Sequence, residues 1–185
     1  MQEARLELVP PTEEYENQVM SYRMEMLENG DGFDGCAGLE AVESYGEWLK
    51  FEERQKKLYG EDYVPSEVYL AVRKSDGAVV GIMDYRLKLS DFLLKFGGSI
   101  GYSVRPSERR KGYAKEMLGL LLERCRETGA EKVLLCCDKE NEASRKTIIE
   151  NGGVLENEVA DTAKLTGSAK KFGNGIIQRY WIKLC

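Results

Sequence analysis

Three consecutive cations, Arg109-Arg110-Lys111, stand directly before Gly112-Tyr113-Ala114, and a helix begins there. The first turn of a helix offers N–H groups with no partner inside the helix, together with the positive end of its dipole. Both favour an anion. Gly112 lets the backbone approach a ligand with no side chain between them. A diphosphate suits such a place. The bland alternative is a basic surface turn leading into an ordinary amphipathic helix, since a Gly-and-Ala pair near a helix start is a short signal.

The elements that must position these residues run from 98 to 129 and read as strand, turn and helix. From Ser99 to Val104, small or polar residues (Ser99, Gly101, Ser103) alternate with apolar ones (Ile100, Tyr102, Val104), the period of a strand with two different faces. Pro106 ends the strand, because it has no N–H and pushes Arg105 towards an extended conformation. Ala114, Met117, Leu118, Leu121, Leu122 and Cys125 then form one helical stripe, and Gly129 stops the helix. Lys132–Cys137 is a continuous apolar run, as in a strand buried on both faces. Strand, helix, strand in this order implies a parallel crossover. Asn141 caps the next helix, which ends at Asn151-Gly152. Ser144, three residues after Asn141, shares its face.

The pattern Arg-x-x-Gly-x-Ala at 109–114, behind a strand ending in Val104-Arg105-Pro106, resembles the coenzyme A signature of the GNAT family of N-acetyltransferases. The segment from Asn141-Glu142-Ala143-Ser144 to Asn151-Gly152-Gly153 resembles that family's next motif, so the likeness spans roughly residues 78–159. It implies an α/β fold with a mixed sheet: antiparallel N-terminal strands, a central β-α-β unit whose two strands splay apart, and a C-terminal hairpin. It implies transfer of an acetyl group from acetyl-CoA to a primary amine by direct attack. By the same resemblance, cofactor contact falls to Val104, Arg109, Arg110, Lys111, Gly112, Tyr113, Ala114, Asn141 and Ser144. The Val104 N–H would point at the thioester carbonyl as an oxyanion donor.

The chain also departs from the family. Many members carry a tyrosine seven residues after the asparagine, which protonates the departing thiolate; Ile148 stands there. Some place a glutamate base on the central strand, where this chain has Ser99. Asp84 and Tyr102 are the substitutes, with Arg86 on the face of Asp84 as its partner. Asp138 and Glu140 are weaker alternatives. The missing acid and base keep a rival reading open, a non-catalytic acyl-CoA-binding module. Another nucleotide diphosphate at the same helix is a weaker reading, because neither a P-loop nor a full dinucleotide fingerprint is present.

Length and composition narrow the field. The 185 residues fit one domain, 1–185, able to bury a sizeable core. A net charge of −5 argues against a nucleic-acid partner, and a local basic cluster suits one anionic ligand better than a polymer. No apolar run approaches membrane-spanning length, so no membrane is expected. Glu3, Arg5 and Glu7 make the start unlike a secretory signal. Five cysteines with no Cys-x-x-Cys pair indicate buried, reduced thiols and a cytoplasmic protein. The absence of histidine excludes His-based triads and His-containing zinc sites; no metal is expected. The partners are acetyl-CoA and an amine acceptor, with a homodimer left open.

The rest of the chain is read in order. Ala4–Val9 is a strand closed by Pro10-Pro11. Thr12 is an N-cap, and Tyr15, Val19, Tyr22 and Met26 recur at helical spacing up to Asn29-Gly30. A glycine-rich acidic loop covers 30–38, and a second helix covers Leu39–Tyr59 with Val42, Tyr45, Trp48 and Leu49 inward. Val68–Arg73 and Ala78–Leu89 form an antiparallel hairpin across Ser75-Asp76-Gly77, followed by a connector at Ser90–Phe96. The last strands are Val154–Val159 and Ile176–Leu184, around a loop, Ala160–Gly175, expected to be mobile. The acidic loop and its flank (Asp31, Asp34, Glu40, Glu43) either suit a cationic acceptor or form a solvated surface. Phe33, Tyr45 and Trp48 either wall the acceptor pocket or pack the core.

Overall fold

The computed structural model describes residues 4–57, 64–160 and 175–184. Seven strands and four α-helices are formed by these residues, with short 3₁₀ turns and a π-helical turn, Leu93–Gly97, between them. Strand β1 (Leu6–Val9) pairs antiparallel with β2 (Ser66–Arg73), β2 with β3 (Val79–Arg86), and β3 with β4 (Ile100–Val104). A second sheet holds β5 (Lys132–Asp138), β6 (Val154–Ala160) and β7 (Ile176–Lys183) in the order β5-β7-β6, again antiparallel. The expected loop between β6 and β7 lies outside the described residues.

Four helices clothe these sheets: α1 (Glu16–Glu28), α2 (Tyr45–Gln55), α3 (Tyr113–Glu127) and α4 (Glu142–Glu150). One face of the first sheet is covered by α1 and α2, where Val19, Tyr22, Met26 and Trp48 pack on Leu70, Val72 and Ile82. The other face is covered by α3, whose Met117, Leu118 and Leu121 share a core with Met83, Val133, Leu135 and Tyr180. Helix α3 therefore joins the two sheets by packing. Its approach is close: a Cβ on Gly81 of β3 would sit 2.6 Å from Met117 Cε.

Two expected helix starts differ. Thr12 precedes a 3₁₀ turn, Glu13–Tyr15, and its side chain caps nothing; Oγ1 donates to Glu14 Oε1 instead. The second helix does not start at Leu39. A 3₁₀ turn, Leu39–Ala41, is followed by extended Val42, and Ser44 begins α2 by accepting from Glu47 N–H at 3.3 Å. Glu47 in turn accepts from Glu43 N–H at 3.1 Å, so reciprocal capping overrides the helical spacing of Val42 and Tyr45.

The crossover from β4 through α3 to β5 is made, but no parallel ladder joins the two strands. They meet at one isolated bridge, Gly98 to Leu135. Beside it, Ser99 N–H donates to Leu134 O at 2.6 Å and Leu134 N–H donates to Ser99 Oγ at 3.1 Å. Ser99 is buried, so the residue at the expected base position is a rivet between two sheets. Gly98 fits this seam because its φ is +70° and a Cβ would lie 2.6 Å from Leu134 O. Beyond the rivet the strands belong to separate sheets, as splayed strands should.

Candidate active site

Between β4 and α3 the backbone turns through two residues with positive φ, Arg110 at 64° and Gly112 at 82°. Gly112 is the N-cap of α3, and no side chain caps the helix. The N–H groups of the first turn are thus left for a ligand. A Cβ at Gly112 would meet only Arg5 Nη2, at 3.6 Å. Room exists for a side chain; the left-handed backbone is what asks for glycine.

The three cations do not act alike. Arg109 turns inward: Nε donates to Val104 O at 3.0 Å and Nη2 pairs with Asp31 Oδ2 at 2.7 Å. Lys111 pairs with Glu108 at 2.8 Å, and Glu108 also holds Arg73 at 2.8 Å. Arg110 is exposed and forms no ion pair among the described residues. Another cation arrives from outside the motif. Arg5, held by Glu116 at 2.8 Å, donates to Lys111 O at 3.1 Å and lies 4.9 Å over the Tyr113 ring. Tyr113 is buried, and its hydroxyl accepts from Arg73 at 3.2 Å. Arg110→Ala should therefore weaken coenzyme A binding about fivefold and flatten its salt dependence, whereas Lys111→Ala should cost under about twofold. Calorimetry at two salt concentrations checks this, and equal losses would refute the ranking.

The edge of β4 facing away from β3 is set by the ladder's phase. Arg86 N–H donates to Ser99 O at 2.8 Å and Arg105 N–H to Val80 O at 2.9 Å. Hydrogen-bonded pairs alternate with open ones, so Gly81–Val104 and Met83–Tyr102 are open pairs. The N–H groups of Val104 and Tyr102 consequently face the gap between the sheets. The side chains alternate too. Ser103 points to the α1 side, where its Oγ donates to Asp34 O at 2.7 Å and accepts from Tyr22 OH at 2.8 Å. Tyr102 points to α4, where its hydroxyl meets Ser144 Oγ at 2.9 Å. Burial pushes the Tyr102 phenol well up, so it holds its proton. Asn141 caps α4 through Ser144 N–H at 3.1 Å, and Ile148 is wholly buried in the core.

Asp84 finds the partner expected of it. Oδ2 lies 3.0 Å from Arg86 Nη2, and Oδ1 accepts from Gly101 N–H at 2.9 Å. Both oxygens are engaged. Glu140 is exposed, while Asp138 Oδ1 accepts the Glu140 N–H at 2.9 Å. The acidic loop is drawn tight across β4: Gly35, with φ at +77°, has room only for hydrogen, since a Cβ would lie 2.5 Å from Gly101 O. Asp31 is occupied by Arg109, while Asp34 and Glu40 are exposed. Phe33, Tyr45 and Trp48 are core residues; Trp48 Nε1 donates to Cys36 O at 3.0 Å.

Next to this loop lies a cavity of about 270 Å³ walled by Ala37, Phe51, Gln55, Ser66, Asp84, Arg86 and neighbours. Glu52 of α2 is buried at 1% exposure, and among the described residues neither of its carboxyl oxygens has a hydrogen-bond donor. Burial, then the charge of Asp84, pushes its carboxyl up to about 8. Sequence reasoning passed over both Arg5 and Glu52. For Glu52 the signal was there, a carboxylate on the inward stripe with Tyr45 and Trp48. Nothing local marks Arg5.

An acetyltransferase (GNAT) domain model matches residues 5–154. The chain belongs to the GNAT acetyltransferase family. No curated protein matches it. Among solved structures, the GNAT chain resembles the ribosomal L7/L12 alpha-N-protein acetyltransferase RimL in complex with coenzyme A. The TM-score is 0.71 at 17% identity, covering 98% of this chain and 95% of that one. It resembles the spermidine/spermine N-acetyltransferase SpeG from Vibrio cholerae with TM-score 0.65 at 14% identity, covering 98% and 95%. A third likeness, at TM-score 0.68 and 15% identity over 98% and 93%, is to the microcin C7 self-immunity acetyltransferase MccE in complex with acetyl-CoA and AMP. As a GNAT acetyltransferase the chain uses acetyl-CoA, and the free first turn of α3 with exposed Arg110 fits the phosphates of that co-substrate. Among the described residues no helix is long and apolar enough to cross a membrane, and no cluster of acidic or cysteine side chains could hold a metal.

Proposed function

We propose that the chain transfers the acetyl group of acetyl-CoA to a primary amine by direct attack, both substrates being held in the gap between β4 and β5. The observation that carries this is the free edge of β4: the Val104 N–H faces the gap, one turn of backbone from the uncapped start of α3. Acetyl-CoA supplies an activated acyl thioester. The α3 N–H groups and Arg110 hold its phosphates, and Asn141 keeps the start of α4 against the gap. Val104 N–H donates to the thioester oxygen as negative charge grows on it. Tyr102 OH, paired with Ser144 and kept protonated by burial, assists by a hydrogen bond to the departing sulfur, which leaves as the thiolate and takes its proton from water, since Ile148 stands where the family's tyrosine would. Holding amine and thioester side by side supplies much of the rate.

The amine must also lose a proton. Asp84 has both oxygens engaged, and the chain has no histidine. Water takes the proton, and the rate rises with pH as free amine accumulates. Asp84→Asn and Tyr102→Phe should each lower kcat about tenfold, below the roughly 10²- to 10⁴-fold usual for a positioned base or acid. A thousandfold loss in one of them, with acetyl-CoA binding and circular dichroism intact, would name it as the essential group. The function itself is tested by thiol release from acetyl-CoA across a panel of amines. Binding of acetyl-CoA with no turnover for any amine would return the chain to the acyl-CoA-binding reading.

A further inference from the structure

We infer that the carboxylate of Asp34 receives the reacting amine of the acceptor as its ammonium, on the face of β4 turned away from α3 and α4. The inference rests on the transferase reading above and names the residue that selects the second substrate.

The two faces of β4 are not equally open to a newcomer. Tyr102 points to α4 and packs in the core shared with α3, so the co-substrate held at the start of α3 occupies that side. An amine attacking the same thioester comes from the other face, to which Ser103 points. That face is crossed by the acidic loop. Gly35 lies so near the strand that a Cβ would be 2.7 Å from Tyr102 Cα, and a Cβ on Gly101 would be 2.8 Å from Gly35 N. Ser103 Oγ donates to Asp34 O at 2.7 Å and is itself held by Tyr22 OH at 2.8 Å. The backbone of Asp34 is thus fixed against the residue between Tyr102 and Val104, whose N–H groups face the gap.

From 33 to 38 the ionisable side chains are Asp34 and Cys36. Cys36 is buried, and burial pushes its thiol up to about 12. Asp34 is exposed. The hydrogen bonds it receives, from Ser103 and Cys36, go to its backbone oxygen, and among the described residues its carboxylate has no partner. Loss of surrounding water nonetheless raises this carboxyl, as befits a side chain open to solvent and walled by protein. The charges acting on it are Arg86, Asp84 and Glu40. Arg86 is committed to Asp84 at 3.0 Å and to Gly97 O and Gly98 O at 3.0 and 3.1 Å. An accessible, partly dehydrated carboxylate with no cation of its own suits an ammonium, which brings three donors and no acceptor. An anionic group would meet Asp34, Asp84 and Glu40 as like charges. Once held, the ammonium gives a proton to water, and the electron pair this frees on nitrogen attacks the thioester carbon.

The test uses S-(2-aminoethyl)-CoA and S-propyl-CoA, thioethers of equal length that differ in one ammonium. That ammonium stands just beyond the sulfur, where the attacking amine must come, so neither turnover nor a known acceptor is needed. By calorimetry the wild type should bind the aminoethyl compound at least about tenfold tighter. Asp34→Asn, which keeps the shape, should bring the two affinities within about twofold by weakening the aminoethyl compound alone. Asp34→Glu should retain a preference of about threefold or more, and Glu40→Gln should retain all of it. Equal affinities in the wild type would overturn the inference. So would an Asp34→Asn variant that still prefers the ammonium, since the charge around the site would then suffice. So would equal losses for both compounds, which would make Asp34 a support of the fold. Thiol release from acetyl-CoA judges the transferase reading separately: no turnover with any amine, beside an intact preference, would uphold the ammonium site and fail the transfer. If neither thioether binds, the co-substrate reading fails and the inference with it.

Discussion

Gly112→Val should weaken acetyl-CoA binding about a hundredfold while the circular dichroism spectrum stays native. Gly112 holds a φ of 82°, and a Cβ there has space, with Arg5 Nη2 at 3.6 Å as its nearest neighbour. The left-handed region costs an ordinary residue roughly 1–2 kcal/mol, and a β-branched one more. Valine escapes that strain only by rotating the backbone out of positive φ, which swings the first N–H groups of α3 away from the phosphates. Each charge-assisted bond lost costs about 1.5–3 kcal/mol, so two account for the hundredfold. Gly112→Asn is the companion, since asparagine tolerates left-handed backbone; it should keep binding within about tenfold of the wild type. Equal losses in Val and Asn variants would mean crowding decides, and an unchanged Val variant would remove this loop from the cofactor's site.

The wild-type protein should lose stability steadily from about pH 5 to pH 8. The folded chain keeps the Glu52 proton up to about pH 8, against a carboxyl value of 4.5 without the burial. Between these values the folded state binds more protons than the unfolded state. The contribution is therefore fully present below 4.5 and lost as pH rises through 8. Ionising the unfolded chain over that window removes on the order of 4 kcal/mol. Glu25, Asp76, Glu108 and Glu158 are shifted the other way by their cationic partners and backbone donors, so their effect is felt at lower pH. Glu52→Gln has no proton to lose. Its melting temperature should vary little from pH 5 to 8 and should exceed that of the wild type by roughly 10 °C at pH 8. The same slope in both proteins, read by thermal unfolding, would place the Glu52 carboxyl in a wetter setting than the fold shows.

What could be read from the sequence was local. The two faces of β4, the stripe of α3 and the hairpin at Gly77 each follow from spacing within a dozen residues, and each stands where spacing put it. The uses to which side chains are put depend on partners far along the chain. Arg109 looked like a phosphate ligand and is held by Asp31, 78 residues away. Ser99 looked like a failed base, and its hydroxyl replaces a rung of backbone between two sheets. Gly112 was read as keeping a side chain away from the ligand; its φ of 82° is a second demand for glycine that the sequence does not show. The break before α2 was legible in principle, because Ser44 and Glu47 have capping spacing. The apolar repeat through Val42 and Tyr45 masked it.

The second sheet has a peculiarity of timing. β5 and β6 each form their ladder with β7, which lies between them although it is made last of the three. The loop at 109–114 and the whole first sheet are therefore synthesised well before β5 can be pinned in place. Until residues 176–183 emerge, two strands wait with bare edges, and one wall of the gap has no lasting position. Pairings across such sequence distances are slow to close and exposed while they wait. A newly made chain thus forms the turn into α3 early, and the gap beside β4 gains its second wall only when β7 slots between its neighbours.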